Sequence, residues 1–394
     1  MDPRVKPAGD GAKRWINFIG ICSRSVRAGS IRQIVGRGYM KLRGLGSLRR
    51  RLVAVAATAM TFVLAGAPQA NAQEGRGALA PLLAKAKQEG ALTIFTGTAR
   101  YPDSAVKQLE QDFRRKYGFA LKITLAAPGP HPPIVQKLIT EAKSGVKPGM
   151  DLFPTALAFY GPMREAGMLA KVNFAAFGVP QDLIAPPGDN VQVSTIARNV
   201  IYNTNLVKKA DAPRRLQDLA DPKWKGKIVA PAIPDVFAML VPVLGEREAL
   251  DLVRQLVQDQ QIVLIQSVTD VGTKVANGEF ALGYGVPADW TGLRKRGAPI
   301  DNAPLEKVSG QPFHAGVLAN ADHPAAATVF AYFACCTPEG KKSLYQSIGW
   351  ANFETSGTEP YEIGGQGRGV NPDHQWQMRD QGRLGQEIAK ILGM

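Results

Sequence analysis

The sequence predicts an α/β protein of two lobes, each a mostly parallel sheet flanked by helices, with extended connectors between them. Three observations predict it. Short apolar strand patterns alternate with helix-period patterns in two separate runs, and a stretch with no helical period lies between the runs. About 320 residues follow an N-terminal leader, which is more chain than one hydrophobic core usually serves.

The first run begins with ALTIF, Ala91 to Phe95, a buried strand followed by the loop TGTARYP. Asp103 is expected to cap the next helix, where Val106, Leu109, Phe113 and Tyr117 keep helical spacing, Arg114 to Lys116 suit the C-terminal dipole, and Gly118 stops it. The strand FALKITLAA follows. Pro132-Pro133 then opens a helix with Ile134, Leu138, Ile139 and Ala142 on one face, Gly145 ends it, and DLFPT is a third strand. This β-α-β-α-β order implies a parallel sheet covered on both faces.

The same alternation returns after residue 220, with KIVAPA as a strand and Glu246 to Gln258 as a helix whose Ala249, Leu252, Val253 and Leu256 turn inward. QIVLIQS is the next strand, Asp270 to Ala276 a short helix, and FALGYGV, Phe280 to Val286, a further strand. Between the runs, VQVSTIARNVIYNTN reads as extended chain. Downstream, Pro324 starts the helix of HPAAATVFAYFA, and Thr337-Pro338-Glu339 caps another that ends at Gly349. The last forty or so residues, rich in Gly and Gln, are expected to wrap one lobe.

Residues 1–72 read as an export leader. Arg49 to Arg51 precede the apolar run Leu52 to Gly66, too short to span a bilayer, and Ala70-Asn71-Ala72 then has the small-x-small pattern of a signal-peptidase site. Cleavage there makes the mature protein periplasmic from Gln73, and Ala67 stands where a lipoprotein would need cysteine. Met40 is the expected start of translation, because the segment before it is an unusually long basic prelude. The leader holds 13 of the 48 Lys and Arg but 2 of the 33 Asp and Glu, so the formal charge of +15 falls to about +4. That balance argues against a nucleic-acid partner. After the leader only Cys335 and Cys336 remain, read as small core residues of a helix without a disulfide framework.

In DLADPKWKGKIVAPAIPD, Trp224 sits between lysines after an Asp-Pro turn, where an aromatic of its size needs a surface to lie on. A packed structural residue and a ligand-stacking platform compete here. The first is preferred, because Trp224 precedes its strand whereas ligands bind beyond strand carboxyl ends.

The ordered set IYNTNLVKKADAP, RRLQDLADPKWKGKIVAP, KVANGEFALGYG and HPAAATVFAYFACCTPEGKKSLYQSIG resembles the type II periplasmic solute-binding proteins of ABC importers, in particular their iron(III)-type branch. The resemblance covers nearly all of 91–350. It implies lobe one at 90–197 plus 310–394, lobe two at 200–305, a monomer, and ABC permease and ATPase subunits as partners. Iron-binding members carry a His after the first strand, an acid after the third and a tyrosine pair after the NGE motif. The corresponding residues here are Ala99, Ala156 and Ala288-Asp289, and alanine offers Fe(III) no oxygen donor. No cofactor or metal is expected.

Strand-end loops then nominate the ligand contacts: Thr96, Thr98, Arg100 and Tyr101, with Thr155 and Phe159, from lobe one, and Asp235, Ser267, Thr269, Asp289 and Trp290 from lobe two. Arg100 and the helix N-termini at Asp103 and near Thr269 favour an organic anion. Asp235, Asp289 and Trp290 keep an amine open as an alternative, and a ferric chelate is a third. Two other functions compete with solute delivery: a periplasmic sensor sharing the same cleft, and a two-lobed transferase. The second lacks G-x-S-x-G, H-E-x-x-H and P-loop motifs, and His131, His314, His323 and His374 read as scattered turn and surface residues.

Overall fold

The computed structural model describes residues 77–394 apart from Ala99 and 286–289. The leader, its cleavage site and Met40 lie outside the described residues. Among the described residues no helix is long and apolar enough to cross a membrane.

A helix over 77–89 leads into β1 (Ala91–Ile94), which lies between β2 (Lys122–Leu125) and β3 (Leu152–Ala156) and pairs parallel with both. The Asp103–Tyr117 helix buries Leu109 and Phe113 as its spacing requires, and Gly118 ends it in the left-handed conformation. Asp103 does not cap it. Pro102 holds that position, and Asp103 meets the dipole from the first turn instead. The next helix, His131–Lys143, buries Val135 and Leu138, a face slightly rotated from the expected one.

After β4 (Ile184–Ala185) the stretch without helical period is one 14-residue strand, β5 (Asn190–Asn203). A second parallel trio follows, with β6 (Ile228–Pro231) flanked by β7 (Val263–Ile265) and β8 (Leu282–Gly285), then β9 (Ile300–Asn302) and β10 (Val308–Val317). From Asn190 to Arg198, β5 pairs antiparallel with β10; beyond that it pairs with β8 and β9. β10 also pairs with β3, so two long strands are shared between the trios, in the order β2-β1-β3-β10-β5-β8-β6-β7. A short β11 (Gly369–Val370) adds to β10.

The apolar residues divide accordingly. Phe113 packs with Phe330 and Phe333 of the Pro324–Cys336 helix, while Trp224 belongs to a separate buried cluster that also holds Ile228, Phe237 and Leu252. Trp224 is 5% exposed, and Lys223 Nζ lies 4.7 Å from its ring centroid, so it is a structural residue with its lysine at the edge. Within 310–394 the buried apolar residues divide: Ala315 to Ile348 join the first core, but Phe353, Ile363, Leu384 and Ile388 join the second. Periodicity shows which face of a helix is apolar and not which core it will meet. Cys335 and Cys336 are free thiols, the first buried.

Thr337 caps the Pro338–Ile348 helix by accepting from the Gly340 N–H at 2.9 Å. Thr337→Ala is expected to cost about 1 kcal/mol, read from denaturation midpoints.

Candidate functional site

Where the carboxyl ends of β1 and β3 meet the shared strands, a cavity of about 1000 Å³ opens, the strand-end position at which α/β sheets hold ligands. Thr96, Gly97 and Thr98 border it from the loop after β1, Ser194 and Thr195 from β5, and Phe313 from β10. Thr291, Lys295 and Glu359 also border it, and the turn after the 338–348 helix contributes Trp350.

His131 is the residue that sequence reasoning missed. It begins the 131–143 helix and borders the cavity, its ring centroid 5.1 Å from Phe95, 6.1 Å from Phe159 and 5.4 Å from Phe313. Thr155, fully buried on β3, places its Oγ1 2.8 Å from His131 Nδ1. Burial among these rings lowers the imidazole pKa to about 4, which leaves it neutral near pH 7. Gly97, at φ 73°, permits the close approach: a Cβ there would stand 3.2 Å from Nε2. The available signal was positional, since His131-Pro132-Pro133 opens a helix directly beyond a strand end. His314 is also no surface residue, being fully buried on β10 against His374, with a centroid distance of 5.3 Å.

The cavity walls are fixed by polar contacts. Thr195 donates its hydroxyl to Asn352 Oδ1 at 3.0 Å and its N–H to Ala351 O at 2.9 Å, tying the 350–352 segment to β5. Tyr101 has its pKa raised by burial, opposed by a hydrogen bond with Trp350. Glu359 accepts from Thr291 Oγ1 and donates its backbone N–H to Tyr345 Oη at 3.2 Å. Burial raises its pKa, and Thr291, Asn302 and Arg294 oppose that. Lys295 is exposed at the rim, with no salt bridge among the described residues.

Of the residues nominated from sequence, Thr96, Thr98 and Tyr101 border this cavity together, and Thr155 stands behind His131. Arg100 is exposed and outside the lining. Asp235 is in the first turn of the Pro234–Ala238 helix, close enough to the Gln381–Ile391 helix that a Cβ on Gly385 would lie 2.8 Å from its Oδ1. The end of β6 is thus covered by the last helix, and Asp235 is not a cavity residue. Burial raises its pKa while Arg198 opposes. Ser267 and Thr269 bond to each other at 3.1 Å on an exposed turn outside the lining. Trp290 is fully buried with Ile201, Val229 and Ile300, and its Nε1 donates to Asn302 Oδ1 at 3.2 Å, so it is core and not an open platform. Asp289, with Ala288 and Ala99, lies outside the described residues; Ala156 ends β3, buried. Among the described residues no cluster of three His, Cys, Asp or Glu is arranged to hold a metal ion.

Two parallel trios built onto shared strands, with a cavity at the strand ends, form a two-lobed solute-binding protein. Residues 108–359 match the bacterial extracellular solute-binding protein family, and the chain belongs to it. The fold is similar to iron-bound HitA from Pseudomonas aeruginosa, with 19% identity, TM-score 0.58, and 77% of this chain and 99% of that one covered. AfuA from Actinobacillus pleuropneumoniae, solved with exogenous fructose-6-phosphate bound, is similar at 18% identity and TM-score 0.56, covering 77% and 99%. An ABC transporter substrate-binding protein from Bradyrhizobium japonicum matches at TM-score 0.61 and 14% identity, covering 77% and 99%.

Proposed function

We propose that the protein captures a small organic anion in this cavity, in the periplasm, and delivers it to the permease and ATPase subunits of an ABC importer. The observation that carries the reading is the cavity at the strand ends, where hydroxyls of Thr96, Thr98 and Ser194, the imidazole of His131 and the ammonium of Lys295 border one space. Lobe one then comprises 90–197 with 310–350, and lobe two 200–305 with the C-terminal helix. Binding draws the lobes together by flexing β5 and β10, which requires contacts made on both sides at once. Ala156 supplies no oxygen donor at one position of the iron(III) branch's ligand set, which supports an organic ligand over direct ferric coordination.

A thermal-shift screen over organic acids, phosphorylated sugars, ferric citrate, polyamines and thiamine tests the reading. A ligand at a hundred times its dissociation constant adds about 2.7 kcal/mol of stability. Stabilisation is expected among the anions, with the ligand recovered chemically unchanged. Hits confined to polyamines would replace the anion with an amine, and chemical conversion of the hit would replace binding with catalysis.

A further inference from the structure

We propose that His131 is the ligand-contacting donor of the cleft, presenting Nε2–H to one oxygen of a carboxylate or phosphate group, with Thr155 holding that tautomer. The inference rests on the solute-binding reading above and names a residue and a ligand chemistry for it. Thr155 is fully buried, and its hydroxyl has one hydrogen-bond partner among the described residues, His131 Nδ1 at 2.8 Å. A buried hydroxyl proton left without an acceptor is costly, so Oγ1–H donates and Nδ1 accepts. A neutral imidazole has one N–H, which is then on Nε2. That nitrogen has no partner among the described residues and is the His131 atom nearest Gly97, where a Cβ would stand 3.2 Å away; both residues border the cavity.

The site therefore offers a fixed neutral donor in the space that a side chain at Gly97 would occupy, and it selects a hydrogen-bond acceptor. Lys295 on the same cavity adds positive charge. Glu359, the carboxyl that borders it, accepts from Thr291, and its burial disfavours the charged form. These features together point to an oxyanion.

Nitrogen-15 imidazole spectra of the full mature chain read the tautomer directly, with the His131→Gln spectrum assigning the signal. A protonated Nε2 is expected, and a protonated Nδ1 would overturn the proposal. Inorganic phosphate, citrate and glucose 6-phosphate are then titrated, with glucose and putrescine as controls. At least one oxyanion is expected to shift the Nε2 signal saturably, citrate alone marking a carboxylate site and either phosphate a phosphate site. His131→Phe combined with Thr155→Val, which orphans no hydroxyl, should weaken that probe about tenfold to a hundredfold, while His131→Gln, which keeps an N–H donor, retains most affinity. If no oxyanion moves Nε2, the proposal falls. A ligand from the wider thermal-shift screen that binds without moving Nε2 would leave solute binding standing and remove only this assignment.

Discussion

Gly340→Ala is expected to destabilise the protein by about 3 kcal/mol, at the upper end of the usual cost of overpacking. A Cβ at that position would lie 1.9 Å from the Phe333 carbonyl oxygen and 2.7 Å from Thr337 Oγ1. The first obstacle is backbone of the preceding helix and cannot rotate away. The second is the cap itself, since Thr337 Oγ1 donates to Phe333 O and accepts from the Gly340 N–H, each at 2.9 Å. Relief requires the 338–348 helix to shift as a body. That helix carries Tyr345 and Gln346, and the turn beyond it Trp350, all bordering the cavity, so ligand affinity should fall along with stability. Urea midpoints and a thermal-shift titration read the two effects. A midpoint within about 0.5 kcal/mol of the parent would show that the helix packs more loosely than described.

The elements were legible in the sequence because their signals are local. Leu109 and Phe113 at i and i+4 define a buried face whatever that face meets, and Thr337 announces a cap through its own hydroxyl. The non-helical stretch was legible as extended, and it forms one continuous strand. What the sequence hid were relations between distant segments. Asp235 follows a strand end and was a reasonable cleft residue until the last helix, about 150 residues later, covered that end. Trp290 reads equally well as platform or core; its burial depends on Ile201, Val229 and Ile300. His131 gains its environment from Phe95, Phe159 and Phe313, three aromatics from three separate segments, and its hydrogen bond from β3. No window along the chain contains that arrangement.

Acidification from pH 7 to pH 4.5 is expected to destabilise the ligand-free protein by on the order of 4 kcal/mol, largely through two histidines. Burial lowers the His314 pKa to about 3, with His374 and Arg164 adding to the shift, and lowers that of His131 to about 4. In the unfolded chain both sit near 6.5. Between these values the unfolded chain binds more protons than the folded one, so stability falls as pH falls through about 6.5 and levels off below the folded values. Asp235 and Glu359 act in the opposite sense. Their raised pKa values mean the folded state takes up protons first, which offsets part of the loss. Asp112 and Asp218, whose values are lowered, add a further loss only below the usual carboxylate range. Urea midpoints at pH 7, 6, 5 and 4.5 test this, with His314→Phe as the control. Among the described residues both ring nitrogens of His314 lack hydrogen-bond partners, so phenylalanine orphans no polar group and should remove about half of the pH dependence. A flat profile in the parent would mean that neither imidazole is held neutral. A bound oxyanion on Nε2 should favour the charged imidazole and raise the His131 pKa, so the liganded protein should lose less stability on acidification than the ligand-free one, by no more than the share of His131.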